Sequence, residues 1–192
     1  MTAPQTLQSR VRNFGHRRRC GDSLPCLVSN DREPGEVNVS TEPSFRERVQ
    51  VVCGHCLTPN RVAHLHLGDD PKCGRCGERL LDGELVALDE ASFEAFVAKN
   101  ELPVVVDFWA AWCAPCRMIA PLLEMVAGEL QTSVRVAKVD VDAVPALAQR
   151  FGVYSIPTLV LFRDGAEVQR IAGAMPAPQL KRWIAGVTRR RR

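Results

Sequence analysis

The fold is decided by residues 104–124, which read VVVDFWAAWCAPCRMIAPLLE. The run Val104–Trp109 is apolar apart from Asp107, which is typical of a buried strand. Further on, apolar residues recur at the spacing of one helix face, namely Ile119, Leu122, Leu123, Val126 and Leu130. The pattern therefore places the pair Cys113 and Cys116 where a strand ends and a helix begins.

This position gives the cysteine pair its chemistry. The unpaired N–H groups of a helix's first turn and the helix dipole stabilise an anion there. A cysteine at that point loses its proton more readily, and the thiolate is the reactive form. Pro115 suits the first turn, where a missing N–H costs no hydrogen bond. We therefore expect Cys113 to be an exposed nucleophile and Cys116, one turn further in, to resolve its adducts. A half-site for zinc is disfavoured here because two further ligands are missing nearby.

The sequence DFWAAWCAPC at residues 107–116, with its following helix and the later Ser155-Ile156-Pro157-Thr158, resembles the thioredoxins. The resemblance runs from about residue 84 to residue 187, over half of the chain. It departs in one dipeptide, because Ala114-Pro115 replaces the usual Gly-Pro. We expect a small shift of redox potential from this change, and no new activity.

The resemblance implies an α/β thioredoxin fold, with a mixed central sheet and helices on both of its faces. It implies a protein-disulfide reductase that works on disulfide-containing proteins and is itself re-reduced by an NADPH-dependent thioredoxin reductase. An oxidase or isomerase on the same fold is one alternative, although such proteins usually carry His in place of Pro115. A binding or chaperone protein is the other.

Asp107 is the odd residue of its strand, because an unpaired acid is costly to bury. One interpretation is a structural acid paired with Lys138. The resemblance instead implies a buried base that accepts the proton of Cys116, with Lys138 nearby. It also implies a cis bond before Pro157 that leaves the Ile156 backbone open to an extended substrate. The implied substrate surface comprises Trp112, Ala114, Pro115, Ile156 and Gly173.

Two further cysteine pairs lie upstream, in residues 49–83, with the spacing C-x2-C-x16-C-x2-C. Two such knuckles supply the four thiolates of a closed, structural zinc site, and the predicted ligands are Cys53, Cys56, Cys73 and Cys76. We expect three glycines to permit the tight turns, namely Gly54, Gly74 and Gly77. The alternatives are a pair of redox-active disulfides, or replacement of one ligand by His55, His64 or His66. A zinc module before this domain resembles the second, zinc-binding type of bacterial thioredoxin.

Four segments follow from these motifs. Residues 1–48 are expected to be disordered or a mis-annotated extension, in which Cys20 and Cys26 are either free thiols or a metal or disulfide pair. Residues 49–83 form the zinc module, residues 84–188 the thioredoxin domain, and residues 189–192 a basic tail. From residue 84 the predicted element order is βαβαβαββα, with Asp89 and Asp142 expected to cap the first and third helices.

Charge and hydropathy disfavour other classes. The net charge is +3, yet residues 84–188 hold nine Lys and Arg against twelve Asp and Glu, so the basic excess lies at the ends. A nucleic-acid partner, which would need a basic face on a folded element, is therefore not expected. No apolar run reaches the ~18–20 residues that span a membrane, and the first twenty residues lack a secretory core. We expect a cytoplasmic monomer.

Overall fold

The computed structural model describes residues 48–188. The predicted extension with Cys20 and Cys26, and the basic tail 189–192, lie outside the described residues. Arg48 is the one residue of the predicted extension that the structure describes, and it is the first residue of a strand.

The N-terminal module is a small ribbon. Strands β1 (Arg48–Val52) and β2 (Pro59–Ala63) pair antiparallel, and a 3-10 turn follows at His64–His66. A single bridge between Lys72 and Arg79 closes the second half. Its apolar core is small and includes two of its own cysteines, so a further staple is expected to hold it.

A five-stranded sheet follows, with the predicted order of elements. Its strands are β3 (Val86–Ala87), β4 (Val104–Trp109), β5 (Arg135–Asp140), β6 (Thr158–Arg163) and β7 (Ala166–Ala172). The spatial order is β3-β5-β4-β6-β7. Strand β4 is central, parallel to β5 and antiparallel to β6. The sheet is therefore mixed, as expected.

Helices cover both faces of this sheet. They are α1 (Glu90–Lys99), α2 (Ala114–Glu129), α3 (Pro145–Arg150) and α4 (Ala177–Thr188). One core contains Phe96 of α1 and Leu147 of α3, and the other contains Leu123 of α2 and Leu180 of α4. Side chains of β4 alternate between the two cores, so Asp107 points to the α2 face, like Val105. This alternation brings the acid to the side of the cysteine helix.

Of the two helix caps predicted from the sequence, Asp89 is observed and Asp142 is not. Asp89 caps α1, and its Oδ1 accepts a hydrogen bond from the N–H of Ser92 at 2.8 Å. The expected cap at Asp142 is wrong, because α3 begins only at Pro145 and has no side-chain cap. A proline fits the first position of a helix, so the chain after Asp142 turns before the helix starts. Asp142 instead accepts a hydrogen bond from Trp112.

The ribbon and the sheet domain share apolar cores. Val52 of the ribbon belongs to a core of the larger domain, and Leu102 of the larger domain belongs to the ribbon core. Backbone N–H groups of β1 donate to the segment after α1, from Val52 to Asn100 Oδ1 at 2.9 Å and from Gln50 to Glu101 Oε2 at 2.9 Å. The two modules are thus joined through packing as well as through the chain.

The short linker approaches α2 closely. Gly83 has a φ of +75°, and a Cβ there would lie 2.7 Å from the Cα of Gly128. Only glycine fits such a conformation and such a contact without a shift of the backbone.

Candidate active site and metal centre

The redox cysteines occupy the start of α2. Cys113 is the residue immediately before the helix, and Cys116 lies in its first turn. A disulfide joins them, and Cys113 Sγ accepts a hydrogen bond from the backbone N–H of Cys116 at 3.2 Å. The N–H of Cys116 therefore points at the sulfur that the sequence assigns as nucleophile.

The expectation that Cys113 is exposed is wrong for this disulfide form. Cys113 is 3% exposed and Cys116 is 1% exposed. Both pack with Ala110, and Trp109, Val141 and Ile156 contact this cluster. The segments that follow β4 and β5 and the segment that precedes β6 thus converge over the disulfide, which a linear sequence pattern does not reveal.

Asp107 lies beneath the pair. It is buried, its Oδ1 has no hydrogen-bond partner, and burial raises the pKa of its carboxyl to about 7, against the opposing charge of Lys138. Lys138 is its neighbour across the β4–β5 ladder. Within residues 48–188 no ion pair joins the two side chains, and the Lys138 Nζ lies 5.9 Å from the centre of the Trp109 ring. The interpretation of Asp107 as a salt-bridged structural acid is therefore wrong.

A small cavity connects the acid to the inner cysteine. It has a volume of about 80 Å³ and is lined by Asp107, Cys116 and Lys138 among other residues. That volume exceeds the ~10–15 Å³ that one water molecule requires, and the lining is polar enough to hold one. The cavity is therefore large enough for one water molecule between Asp107 and Cys116.

The predicted substrate surface surrounds the disulfide. The Ile156-Pro157 bond is cis, and Pro157 is buried. Gly173 is exposed with a φ of +93°, and its N–H donates to the carbonyl of Pro157 at 2.8 Å. The remaining predicted surface residues are also open to solvent, with Trp112 at 68%, Ala114 and Pro115 exposed, and Ile156 half-buried.

Sequence reasoning missed two residues of this surface. A groove of about 530 Å³ runs beside Trp112 and Ile156, and Tyr154 borders it with 98% of its surface exposed. Asp142 fixes Trp112, because its Oδ2 accepts from Trp112 Nε1 at 2.8 Å. An aromatic residue two positions before Ile156 was a visible signal for the first. The contact between Asp142 and Trp112 was missed because the sequence suggested Asp142 as a helix cap.

The four upstream cysteines converge as predicted. All four sulfur atoms lie within 4.8 Å of one another, and the pairs Cys53–Cys76 and Cys56–Cys73 are each 3.6 Å apart. Zn–S bonds of about 2.3 Å in a tetrahedron would set sulfur atoms about 3.8 Å apart. The donor set therefore fits a zinc ion. Within residues 48–188 this is the one cluster of metal-binding side chains, and it includes no histidine.

Backbone turns aim these sulfurs. In each knuckle the fourth residue after the first cysteine has a positive φ, which is 58° at Leu57 and 78° at Gly77. The role expected for Gly77 is thus observed, whereas Gly54 and Gly74 do not adopt this conformation. At Gly54 the constraint is space, because a Cβ would lie 2.9 Å from Cγ2 of Val86.

One side chain organises the second knuckle. Asn60 Oδ1 accepts from the N–H of Gly74 at 2.9 Å, and its Nδ2 lies 3.7 Å from Cys73 Sγ. Hydrogen bonds from the backbone N–H groups of Cys76 and Arg75 lower the pKa of the Cys73 thiol to about 6.

Two family models match this chain. The model described as Thioredoxin matches residues 84–186, which is more than half of the chain. The chain belongs to the thioredoxin family. A second model, described as Thioredoxin 2, N-terminal, matches residues 52–78 and represents a zinc ribbon. The chain is thus a zinc-type second thioredoxin, as the sequence predicted, and its family makes it a protein-disulfide oxidoreductase.

Individual relatives agree. Thioredoxin C-3 of Corynebacterium nephridii is 42% identical over 134 residues, which cover 70% of this chain and 92% of that protein. Thioredoxin of Mycolicibacterium smegmatis is 52% identical over 106 residues, covering 54% of this chain and 95% of that one. A solved mutant thioredoxin of Halobacterium salinarum NRC-1 has a TM-score of 0.52 and 36% identity, over 55% of this chain and 92% of its own.

Hydropathy adds one observation about the described helices. Between residues 48 and 188, none is both long and apolar enough to cross a bilayer.

Replacement of Asp107 by Ala should stabilise the thioredoxin domain at high pH. The folded carboxyl keeps its proton up to a pKa of about 7, whereas the unfolded one loses it near 3.8. The wild type therefore loses stability as the pH rises from about 4 to about 7, by up to about 4 kcal/mol. Urea unfolding at pH 4.5 and pH 8 should show a larger gain for Asp107→Ala at pH 8. Glu90→Ala, an exposed acid of α1, is the control, and an equal gain for Asp107→Ala at both pH values would contradict the raised pKa.

Proposed function

We propose that this thioredoxin reduces protein disulfides by dithiol–disulfide exchange, with Cys113 as the nucleophile and Cys116 as the resolving thiol. The observation that carries the proposal is the Cys113 sulfur at the start of α2, which accepts an N–H from the first turn and lies above a buried acid. Cys113 accepts a hydrogen bond from an N–H at the helix start, whereas Cys116 lies one turn further in, beside the cavity that Asp107 lines. This difference is the reason for assigning Cys113 as nucleophile and Cys116 as resolving thiol.

The reaction proceeds from the dithiol form. The Cys113 thiolate attacks one sulfur of the substrate disulfide, a mixed disulfide forms, and the second substrate sulfur leaves as a thiolate. Cys116 gives its proton to the Asp107 carboxylate. Its thiolate then attacks Cys113 Sγ and expels the first substrate sulfur. Two electrons pass to the substrate, and the Cys113–Cys116 disulfide remains.

Asp107 suits the proton step because its raised pKa lies near neutral pH, where a base is most effective. Lys138 is proposed to moderate this pKa, since its positive charge favours the ionised carboxylate. Pro157 is proposed to keep a packed wall beside the disulfide, because it is buried next to Ile156.

The substrate is proposed to bind as an extended segment over the disulfide. None of the hydrogen bonds within residues 48–188 uses the backbone N–H or C=O of Ile156, so this residue can pair with a substrate strand. Tyr154 supplies an apolar wall on one side of the segment. The remaining contacts are proposed to come from Trp112, Ala114, Pro115 and Gly173.

The oxidised protein is proposed to be recycled by an NADPH-dependent thioredoxin reductase. A protein of Mycobacterium leprae that is 47% identical over 105 residues carries the name bifunctional thioredoxin reductase/thioredoxin, and the match covers 55% of this chain and 23% of that protein. The two activities thus occur in one relative. Such recycling fits a monomer in a reducing compartment such as the cytoplasm, where cysteine pairs serve redox or metal chemistry.

Cys53, Cys56, Cys73 and Cys76 are proposed to hold one structural zinc ion. Four thiolates close a tetrahedron and leave no position for water, which catalytic zinc requires. The ion would fix the two knuckles of a module whose own core is small. Residues 49–83 then serve as a metal-stapled module and residues 84–188 as the redox domain.

Cys116→Ser should trap substrates on Cys113. Without the resolving thiol the mixed disulfide persists, so mass spectrometry after incubation with a disulfide-containing protein should find one adduct, on Cys113. The double variant Cys113→Ser/Cys116→Ser is the control and should form none. Amide NMR shifts in the adduct should concentrate at Ile156 and Gly173. Adducts on Cys53 or Cys73 would refute the assignment of the nucleophile, and unchanged shifts at Ile156 would refute the docking site.

Metal removal should separate stability from catalysis. Elemental analysis of the reduced protein should give one zinc per chain, because the four thiolates form a single site. Chelation should lower the melting temperature, since Val52 of the ribbon packs in the core of the larger domain, yet disulfide reduction at 25 °C should persist. A protein without zinc would disprove the site, and loss of all reduction on chelation would disprove the purely structural role.

A further inference from the structure

Arg135 is a buried charge that the redox mechanism does not use. It begins β5 and is 3% exposed, and within residues 48–188 no other arginine or lysine is buried. Its Nε has no hydrogen-bond partner, and its guanidinium carbon lies 5.7 Å from the centre of the Phe96 ring. A charge in such a place is costly unless an opposite charge compensates it. A stack on one aromatic ring supplies only part of that compensation.

The first cysteine knuckle lies directly against this guanidinium. A Cβ on Gly54, the residue after Cys53, would lie 3.6 Å from Nη2 of Arg135. Burial lowers the pKa of Arg135, and the negative charges of Asp82 and Cys53 act in the opposite direction. Asp82 is shared, because its Oδ2 also lies 3.4 Å from Nε2 of His55. Asp82 and, after it, Cys53 are therefore the groups whose negative charge acts on Arg135.

The cysteine cluster with zinc bound would supply negative charge to compensate Arg135. Four thiolates carry four negative charges and a zinc ion two positive charges, so the loaded centre is a dianion. Such a centre is itself costly at a half-buried position, and Cys53 and Cys73 are both buried. A fixed cation beside it lowers the cost of burying that charge.

We infer that Arg135 is a positioning residue for the metal centre, where its buried guanidinium compensates the charge of the four-thiolate zinc site and ties that site to the central sheet. The inference rests on the proposed zinc ion. Arg135 can tie the site to the central sheet because its backbone N–H donates to the carbonyl of Pro103 at 2.8 Å, and because it pairs with Val104 of β4. By linkage, zinc then stabilises the whole fold more strongly with Arg135 present than without it.

The test is the zinc affinity of the full-length, reduced protein, measured by competition with a chromogenic chelator at fixed pH. Arg135→Met keeps the bulk but loses the charge, and should weaken zinc binding by about 10- to 100-fold. Arg135→Lys keeps the charge and should recover most of the affinity. The matched control is Arg150→Met, because Arg150 also lies over a phenylalanine ring, 5.1 Å from the centre of Phe151, but is exposed and pairs with Glu94 of α1.

A second variant should change the zinc affinity in the opposite direction. Asp82→Asn removes a negative charge near the dianion and keeps an oxygen for the N–H of Glu84, which Asp82 Oδ1 now accepts at 3.1 Å. It should therefore tighten zinc binding several-fold, whereas a merely structural role for the Asp82 and Arg135 pair predicts weaker binding. This variant decides the question if Arg135→Met does not fold.

Three results would distinguish a failure of the role of Arg135 from a failure of the proposed zinc site. Wild-type protein that binds zinc, together with an Arg135→Met variant of equal affinity, overturns the role of Arg135 alone. So does an Arg135→Lys variant as weak as Arg135→Met, because charge would then be irrelevant. Wild-type protein that binds no zinc overturns the metal proposal itself.

Discussion

Everything reactive in this protein depends on the pairing of β4 with its two neighbours. The register places Asp107 opposite Lys138 on one side and opposite Leu159 on the other, and β6 begins directly after the cis bond at Pro157. Because β4 then runs into α2, the cysteines, the acid and the turn at Pro157 meet at one end of the sheet. A shift of this register by one residue would turn Asp107 to the opposite face.

Two buried charges of opposite sign lie beside the two cysteine sites. Beneath the redox pair lies the acid Asp107, whose burial raises its pKa to about 7, which suits the proposed transfer of a proton from Cys116. Beside the four cysteines proposed to hold zinc lies the permanent cation Arg135. Each charge lowers the stability of the folded chain when considered alone. We propose that both are kept for what they do at the cysteines.

The sequence predicted the fold and the cysteine sites because these depend on local patterns. Apolar periodicity located the strands and helices, and two C-x-x-C pairs at zinc spacing predicted the cluster of sulfur atoms. The failures involve contacts between distant segments. The burial of Cys113 arises from the segments after β4 and β5 and the segment before β6, and the partner of Asp142 is a tryptophan thirty residues away. Arg135 was not singled out at all, because an arginine that begins a strand has no local pattern that marks it as buried.

The central claim is that the Cys113–Cys116 pair turns over as a reductant of protein disulfides. The most direct measurement is NADPH oxidation in a mixture of this protein, a thioredoxin reductase and a disulfide-containing protein. The account predicts sustained NADPH oxidation with the wild type, and only the background rate with Cys113→Ser/Cys116→Ser, which leaves the ribbon cysteines intact. Equal rates for the two proteins, or a wild type no faster than the background, would contradict it.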